Sequence, residues 1–208
     1  MGDAYKLLHS IGPDKVLAIG GGCDADVPVI AYLNERCGGD FAVVWLDAHG
    51  DLNSPEESST SLFYGMPLRS LMDDTCFGLM ENPLPLTCAQ VVHAGGRDLD
   101  EAEVAFMISG GIARITVGDV RSDVSVISKA VETKGYSSVY VHLDLDVPDP
   151  AAFPNTPLPV ADGLSAEELL AVLESLAPKA AGMGIFEYAP TGERVALIDR
   201  ILKSGLPL

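Results

Sequence analysis

Phe41-Ala42-Val43-Val44-Trp45-Leu46-Asp47-Ala48-His49-Gly50-Asp51 decides how this chain is read. Its first six residues are apolar without a break. A run that short and continuous suits a strand buried on both faces, as in a parallel sheet. The residues that follow change character abruptly. Asp47, His49 and Asp51 recur at a spacing of two, and an extended strand end puts such residues on one side. Two carboxylates and one imidazole suit a borderline or hard divalent cation such as Mn²⁺, Zn²⁺, Fe²⁺ or Mg²⁺.

Outward from this stretch the same grammar repeats. Val16–Ile19, Gln90–Ala94, Arg114–Val117, Ser138–Leu143 and Ala181–Ile185 are short and apolar, with many β-branched residues. Helical patterns lie between them. Val27–Arg36 is one. Val124–Lys134 is another, with Val124, Ile127 and Val131 at helical spacing. Ser165–Leu176 is the clearest, because Ser165 and Glu168 form a capping-box signature. Asn82–Pro85 and Pro148–Pro159 read as loops. Alternating strands and helices predict a three-layer α/β/α fold with a mainly parallel sheet. The length of 208 residues predicts one domain over 1–208.

Several polar motifs follow strands directly. Asp144-Leu145-Asp146 follows Ser138–Leu143, Glu187 follows Ile185-Phe186, and Gly20-Gly21-Gly22-Cys23 follows Ile19. Ligands of open parallel sheets bind outside the carboxyl ends of the strands, so these motifs should converge on one crevice. Asp144 and Asp146 repeat the spacing of two. Bridging carboxylates would let five such ligands hold two cations roughly 3.5 Å apart and acidify a shared water. Without cations, so many clustered acids beside a buried strand are costly.

Composition narrows the remaining classes. Thirteen basic and thirty acidic side chains leave a formal net charge of −17. Such a surface repels phosphate backbones and argues against nucleic-acid binding. No apolar run reaches the roughly 18 residues of a membrane span. The N-terminus lacks the basic and apolar blocks of a signal peptide, so a cytoplasmic location is expected. Cys23, Cys37, Cys76 and Cys88 show no CxxC spacing and predict no disulfide framework. Three of them read as small apolar residues. Cys23, at the Gly-rich strand end, stands apart.

Taken together, these motifs resemble the ureohydrolase family of arginases, agmatinases, formimidoylglutamases and guanidinobutyrases. Asp47-Ala48-His49-Gly50-Asp51 matches its Asp-Ala-His-x-Asp metal signature, and Leu52-Asn53-Ser54-Pro55 resembles arginase. Asp144-Leu145-Asp146-Val147-Pro148-Asp149-Pro150 matches a second segment, with Pro157–Val160 and Gly163-Leu164-Ser165 in order behind it. Arg97-Asp98-Leu99-Asp100 and Glu103 resemble a substrate-side segment. Glu187 matches a late Glu that pairs with a guanidinium.

The resemblance implies a metal-dependent hydrolase that cleaves a linear C–N bond in a guanidino or amidino compound through attack by metal-bound hydroxide. The metal ligands would be Asp47, His49, Asp51, Asp144, Asp146 and Cys23. One deeper Mn²⁺ position would be complete with Asp47, His49, Asp144 and Asp146. A second, outer position depends on Cys23, and Zn²⁺, Fe²⁺ or Ni²⁺ are further candidates. Asp146, Glu187 and Tyr64 would be catalytic. Asn53, Thr60, Asp100, Glu103 and Glu187 would bind substrate, with Asp100 receiving a substrate amine. A homo-oligomer, trimer or hexamer, is the implied assembly.

Three positions depart from the family pattern. Cys23 stands where a ligating His is usual, and a thiolate prefers softer metals than Mn²⁺. Asp24 or Asp26 offers an oxygen ligand in its place. Tyr64, in Tyr64-Gly65-Met66-Pro67, replaces the His thought to shuttle protons to the leaving amine, and a phenol holds its proton at neutral pH. Thr60 and Leu62 replace a Ser and an Asn that grip an α-carboxylate in arginases, while Glu56 and Glu57 add negative charge. A purely cationic substrate is therefore favoured over L-arginine. The chain is also short at both ends relative to the family. The alternative is a catalytically weakened or inactive paralogue with a structural or regulatory role.

Overall fold

The computed structural model describes residues 1–72, 80, 83–190 and 195–204. Cys76 and Asn82 lie outside the described residues. The sheet is built from β1 (Val16–Ile19), β2 (Phe41–Leu46), β3 (Val91–Ala94), β4 (Ala113–Ile115), β5 (Ser138–Asp144) and β6 (Ala180–Phe186). Its order is β1-β6-β5-β2-β3-β4, and every pairing is parallel. Burial explains the continuous apolar runs. All six residues of β2 and all four of β3 are buried, whereas the edge strands β1 and β4 alternate with exposed positions.

Helices cover both faces. α1 (Gly2–Ile11), α2 (Val27–Arg36), α3 (Pro67–Met72) and α4 (Glu101–Gly110) lie on one side. There Tyr5, Ile30, Leu33, Leu68 and Met107 pack against Phe41, Val43, Trp45 and Tyr140. α5 (Val117–Ser122), α6 (Val126–Lys134), α7 (Ala166–Leu176) and α8 (Ala196–Ile201) lie on the other. Ile127, Val131, Leu169 and Leu173 meet Ala42, Val44, Val139 and Val141. The period of two along β2 thus divides its residues between two cores. The three-layer α/β/α fold is the expected one.

Individual elements follow their sequence signals closely where caps are present. Ser165 caps α7, its Oγ accepting from Glu168 N at 3.2 Å while Glu168 Oε2 accepts from Ser165 N at 2.8 Å. Val124 is different. It precedes α6, which begins at Val126, and is exposed. α1, α3, α4, α5 and α8 fall outside the helical stretches expected from the sequence, and α3, α5 and α8 are only six residues long. Cys37 and Cys88 are unpaired and partly buried.

The strand order places the site. The chain builds outward from β2 to β3 and β4, then returns to lay β5 on the other side of β2. Neighbouring strands whose connections leave in opposite directions open a crevice at their carboxyl ends. Asp47 follows β2 directly and Asp144 ends β5, so both acidic motifs stand at this switch point.

Candidate metal centre

Backbone amides fix the carboxylates before any ligand arrives. Asp47 Oδ1 accepts from His49 N at 2.7 Å, and Asp144 Oδ1 accepts from Asp146 N at 2.7 Å. The two motifs therefore form the same local turn, each Asp capping the amide two residues on. Asp146 Oδ1 crosses between strands to accept from Ala48 N at 3.0 Å. Trp45, two residues before Asp47 on the same face of β2, donates Nε1–H to Asp47 Oδ2 at 3.0 Å. Asp51 has φ 55° and Glu187 φ 57°. Left-handed backbone is uncommon outside glycine and concentrates at functional sites.

Among the described residues, the candidate ligand atoms gather into three groups, each with all of its atoms within 4.8 Å of one another. Asp47, His49 and Asp146 form one. Cys23, Asp144 and Glu187 form a second, and Cys23, Asp47, Asp51 and His142 form a third. Their depth reverses the expectation. His49 keeps 27% of its side chain exposed, while Cys23, Asp47, Asp51 and His142 are all buried. The Cys23 position is the inner one, and the His49 position faces the opening. Asp26 does not substitute for the missing histidine, because its oxygens turn to Tyr140 and His142. Asp24 belongs to none of the three groups.

The electrostatics describe a site short of positive charge. Burial, then the neighbouring Asp47 and Asp144, pushes Asp51 well above the usual carboxylate range. Burial, then Asp47 and Asp146, does the same to Asp144. Burial also raises the Cys23 thiol, with Asp144 adding to it. Cys23 accordingly donates S–H to Asp144 Oδ2 at 3.1 Å. Burial alone would lower the His49 imidazole, but hydrogen bonds with Asp146 and Asp47 carry it up to about 11. It sits 2.8 Å from Asp146 Oδ2. Asp51 Oδ2 and His142 Nε2 are buried with no partner. Divalent cations resolve each of these features, and the residues present fit them.

Above the cluster lies a cavity of about 190 Å³. Asp51, Asp144 and Asp146 line its floor, and Tyr64, Asp98 and Glu187 line its walls. The remaining expected substrate contacts divide. Asn53 Nδ2 donates to Asp100 Oδ2 at 2.9 Å, so the two form one polar wall. Thr60 lines the cavity, but its Oγ1 already accepts from Leu62 N at 3.2 Å. Glu103 is buried and has both oxygens occupied, accepting from Leu52 N at 3.0 Å and from Asp100 N at 2.9 Å. It clamps the loop after the first metal motif onto the start of α4. Arg97 faces away from substrate. It donates to the carbonyls of Gly95, Asp146, Val160 and Ala161.

The Glu103 clamp requires glycine at position 50. A Cβ there would lie 2.5 Å from the Glu103 carboxylate. Gly50→Ala should therefore destabilise the fold by about 1–3 kcal/mol, the usual range for overpacking. The melting temperature should fall by roughly 2–4 °C per kcal/mol. A melting temperature equal to that of the parent would show that the loop relaxes freely.

His142 is the site residue that motif matching passed over. It stands two residues before Asp144, on the same face of β5, and extends the alternation to His142-x-Asp144-x-Asp146. The spacing of two carries that information. The apolar neighbours Val141 and Leu143 assign it to the strand core instead.

Known proteins agree with this geometry. The sequence model of the Arginase family matches residues 3–198. The arginase of Coccidioides posadasii (strain C735) is 30% identical over 209 residues, covering 94% of this chain and 63% of that protein. The arginase of Staphylococcus aureus (strain COL) is 34% identical over 166 residues, covering 77% and 55%. The chain thus spans under two thirds of the length of these relatives. Among solved structures, Entamoeba histolytica arginase in complex with L-ornithine superposes with a TM-score of 0.83 at 26% identity, covering 98% of this chain and 74% of that one. Proclavaminate amidino hydrolase from Streptomyces clavuligerus gives 0.75 at 27%, covering 97% and 65%. With its acidic strand-end motifs at the switch point of a matching fold, the chain belongs to the arginase family.

Proposed function

We propose that this protein is a metal-dependent hydrolase of a linear C–N bond in a small cationic guanidino or amidino compound. The convergence of Asp47, His49, Asp51, Asp144, Asp146 and Cys23 at one strand-end crevice carries the reading. These six residues would hold the cations, with Mn²⁺ as the first candidate at the His49 position. A cation held there by Asp47, His49 and Asp146 would supply acidification of water toward a nucleophile at neutral pH and polarisation of the bond under attack. Water adds to the amidine carbon, the C–N bond breaks, and the amine leaves with a proton. The products are urea or a related amide and the amine.

The chain's own residues supply orientation and proton handling. Glu187, half-buried on the cavity wall, suits a two-point pair with a guanidinium or amidinium. Asp146 Oδ1 accepts from Ala48 N, which orients the carboxylate as an acceptor for a water proton. Asp100 and Asn53 would receive an amine at the far end. A cavity of about 190 Å³ suits a short linear molecule. With Leu62 apolar and 51% exposed, a chain without an α-carboxylate is the better fit. A homo-oligomer is the proposed assembly, and the exposed Leu17 and Ile19 on edge strand β1 support it.

The test is urea release from agmatine, guanidinobutyrate, arginine and guanidine after Mn²⁺ loading. Release from at least one, with agmatine above arginine, is expected. No release on the panel from metal-loaded protein would contradict the reading. It would favour the weakened paralogue, for which Tyr64 is the specific observation. Tyr64 lines the cavity and is 44% exposed. A positioned proton-transfer group contributes about 10²-fold or more. Tyr64→His should therefore raise kcat by roughly that factor. An unchanged kcat would show that proton transfer to the amine is not limiting.

A further inference from the structure

His142 is fully buried at the centre of the molecule, stacked between two aromatic rings. The Trp45 ring centroid lies 3.5 Å away with planes 8° apart, and the Phe186 ring lies at 5.1 Å and 10°. Its Nδ1 sits 2.8 Å from Asp26 Oδ2. The other oxygen of Asp26 accepts from Tyr140 OH at 2.6 Å. Gly184 on β6 leaves room for this pair, since a Cβ there would come within 2.6 Å of Asp26 Oδ2. Trp45, Phe186, Asp26 and, through Asp26, Tyr140 thus lock the ring in one orientation. With the proton at Nδ1, where Asp26 accepts it, the neutral ring presents Nε2 as a lone pair. That atom is buried and has no partner.

A histidine held through one nitrogen by a carboxylate, with the other nitrogen bare, is the arrangement found behind metal-ligating imidazoles. The bare nitrogen has somewhere to go. A ring nitrogen of His142 lies within 4.8 Å of a ligand atom from each of Cys23, Asp47 and Asp51. Asp51 adds an independent sign, because its Oδ2 is also buried and unpartnered. Position 23, which would otherwise bring an imidazole from the β1 side, here brings sulfur. The imidazole arrives instead from β5.

We propose that His142 Nε2, Cys23 Sγ and the carboxylates of Asp47 and Asp51 form one cation position that selects a Zn²⁺-class ion. The neighbouring position at Asp47, His49 and Asp146 keeps an oxygen-rich character suited to Mn²⁺, so the two positions take different ions. Mixed nitrogen, sulfur and oxygen ligation with four donors is the chemistry of Zn²⁺ rather than Mn²⁺. On loading, Cys23 surrenders the proton it donates to Asp144, and that proton goes to solvent. Asp26 acts as a positioning residue through His142. The inference rests on the metal-dependent reading above and goes beyond it in naming the ligand and the ion.

X-ray absorption at the zinc edge tests it on the full chain loaded with one equivalent of Zn²⁺. One sulfur scatterer near about 2.3 Å and one imidazole are expected. The imidazole should persist in His49→Ala and disappear in His142→Gln. The sulfur should disappear in Cys23→Ser, with zinc affinity lower by more than about 100-fold. Zinc bound through oxygen alone, or an imidazole lost in His49→Ala, overturns this proposal and leaves the metal-dependent reading standing. Failure to retain any divalent ion overturns both. The spectrum of the unmutated protein decides the ligand set even if His142→Gln does not fold.

Discussion

Asp51→Asn should raise the melting temperature of the metal-free protein and, at the same time, abolish the stabilisation that a cation at the Cys23–His142 position provides. Both effects follow from one carboxylate. Asp51 is buried, faces Asp47 and Asp144, and has its Oδ2 unpartnered. Asparagine keeps the shape and tolerates the left-handed backbone at φ 55°. The direction with pH follows from linkage. A carboxylic acid whose folded pKa is raised makes the native state bind more protons than the unfolded one. Its unfavourable contribution is absent below the unfolded pKa and grows as pH rises through the folded pKa. The advantage of Asp51→Asn in chelator should therefore be small near pH 4 and widen toward pH 8.

With divalent metal the order inverts. An ion at about 100 times its Kd stabilises the native state by about 2.7 kcal/mol. That is roughly 5–10 °C for a chain of this size. Asp51→Asn should lose the part of this gain that comes from the Cys23–His142 position, and the proposed C–N hydrolysis should fall by more than about 100-fold, beyond what remote metal-site changes usually cause. Thermal shift with and without Zn²⁺ across pH 4–8 measures the stabilities, and urea release measures the rate. A metal-free variant less stable than its parent at pH 8 would contradict the account of the cluster.

Trp45 is the second position with a large expected effect, because packing and the metal site meet there. It is fully buried in β2, stacks on His142, and donates Nε1–H to Asp47 Oδ2. Trp45→Ala should cost about 3–5 kcal/mol, a loss of roughly 6–20 °C in melting temperature. Trp45→Phe separates the two roles. It retains an aromatic ring but removes the hydrogen bond, so stability should fall by only about 1.5–3 kcal/mol. Metal affinity should fall by about 10–100-fold, as for other groups that orient a ligand. Equal affinity in Trp45→Phe and the parent would show that Asp47 holds its orientation without the indole.

The parts of the molecule that could be read from sequence are those governed by local rules. Continuous apolar runs mark β2, β3, β5 and β6 because both faces of those strands are covered. The capping box at Ser165 and Glu168 fixes where α7 begins, and the spacing of two puts Asp47, His49 and Asp51 at one strand end. What could not be read depends on contacts distant in the chain. Glu103 looks like a substrate ligand, yet both oxygens are occupied by the amides of Leu52 and Asp100. Arg97 looks equally available, yet four carbonyls take its guanidinium. The inner placement of Cys23 and the ligand-like posture of His142 arise only when β1, β6, β5 and β2 lie side by side. His142 in particular owes its posture to Asp26, 116 residues away in sequence.

The central claim is that this crevice holds divalent cations through Asp47, the residue common to the His49 and His142 groups. Metal content after equilibration with Mn²⁺ and Zn²⁺ and removal of free ions tests it directly, comparing the parent with Asp47→Asn. The account predicts metal retained by the parent at one or two ions per chain and lost from the variant. Metal-free parent protein, or equal retention by the two, would contradict it.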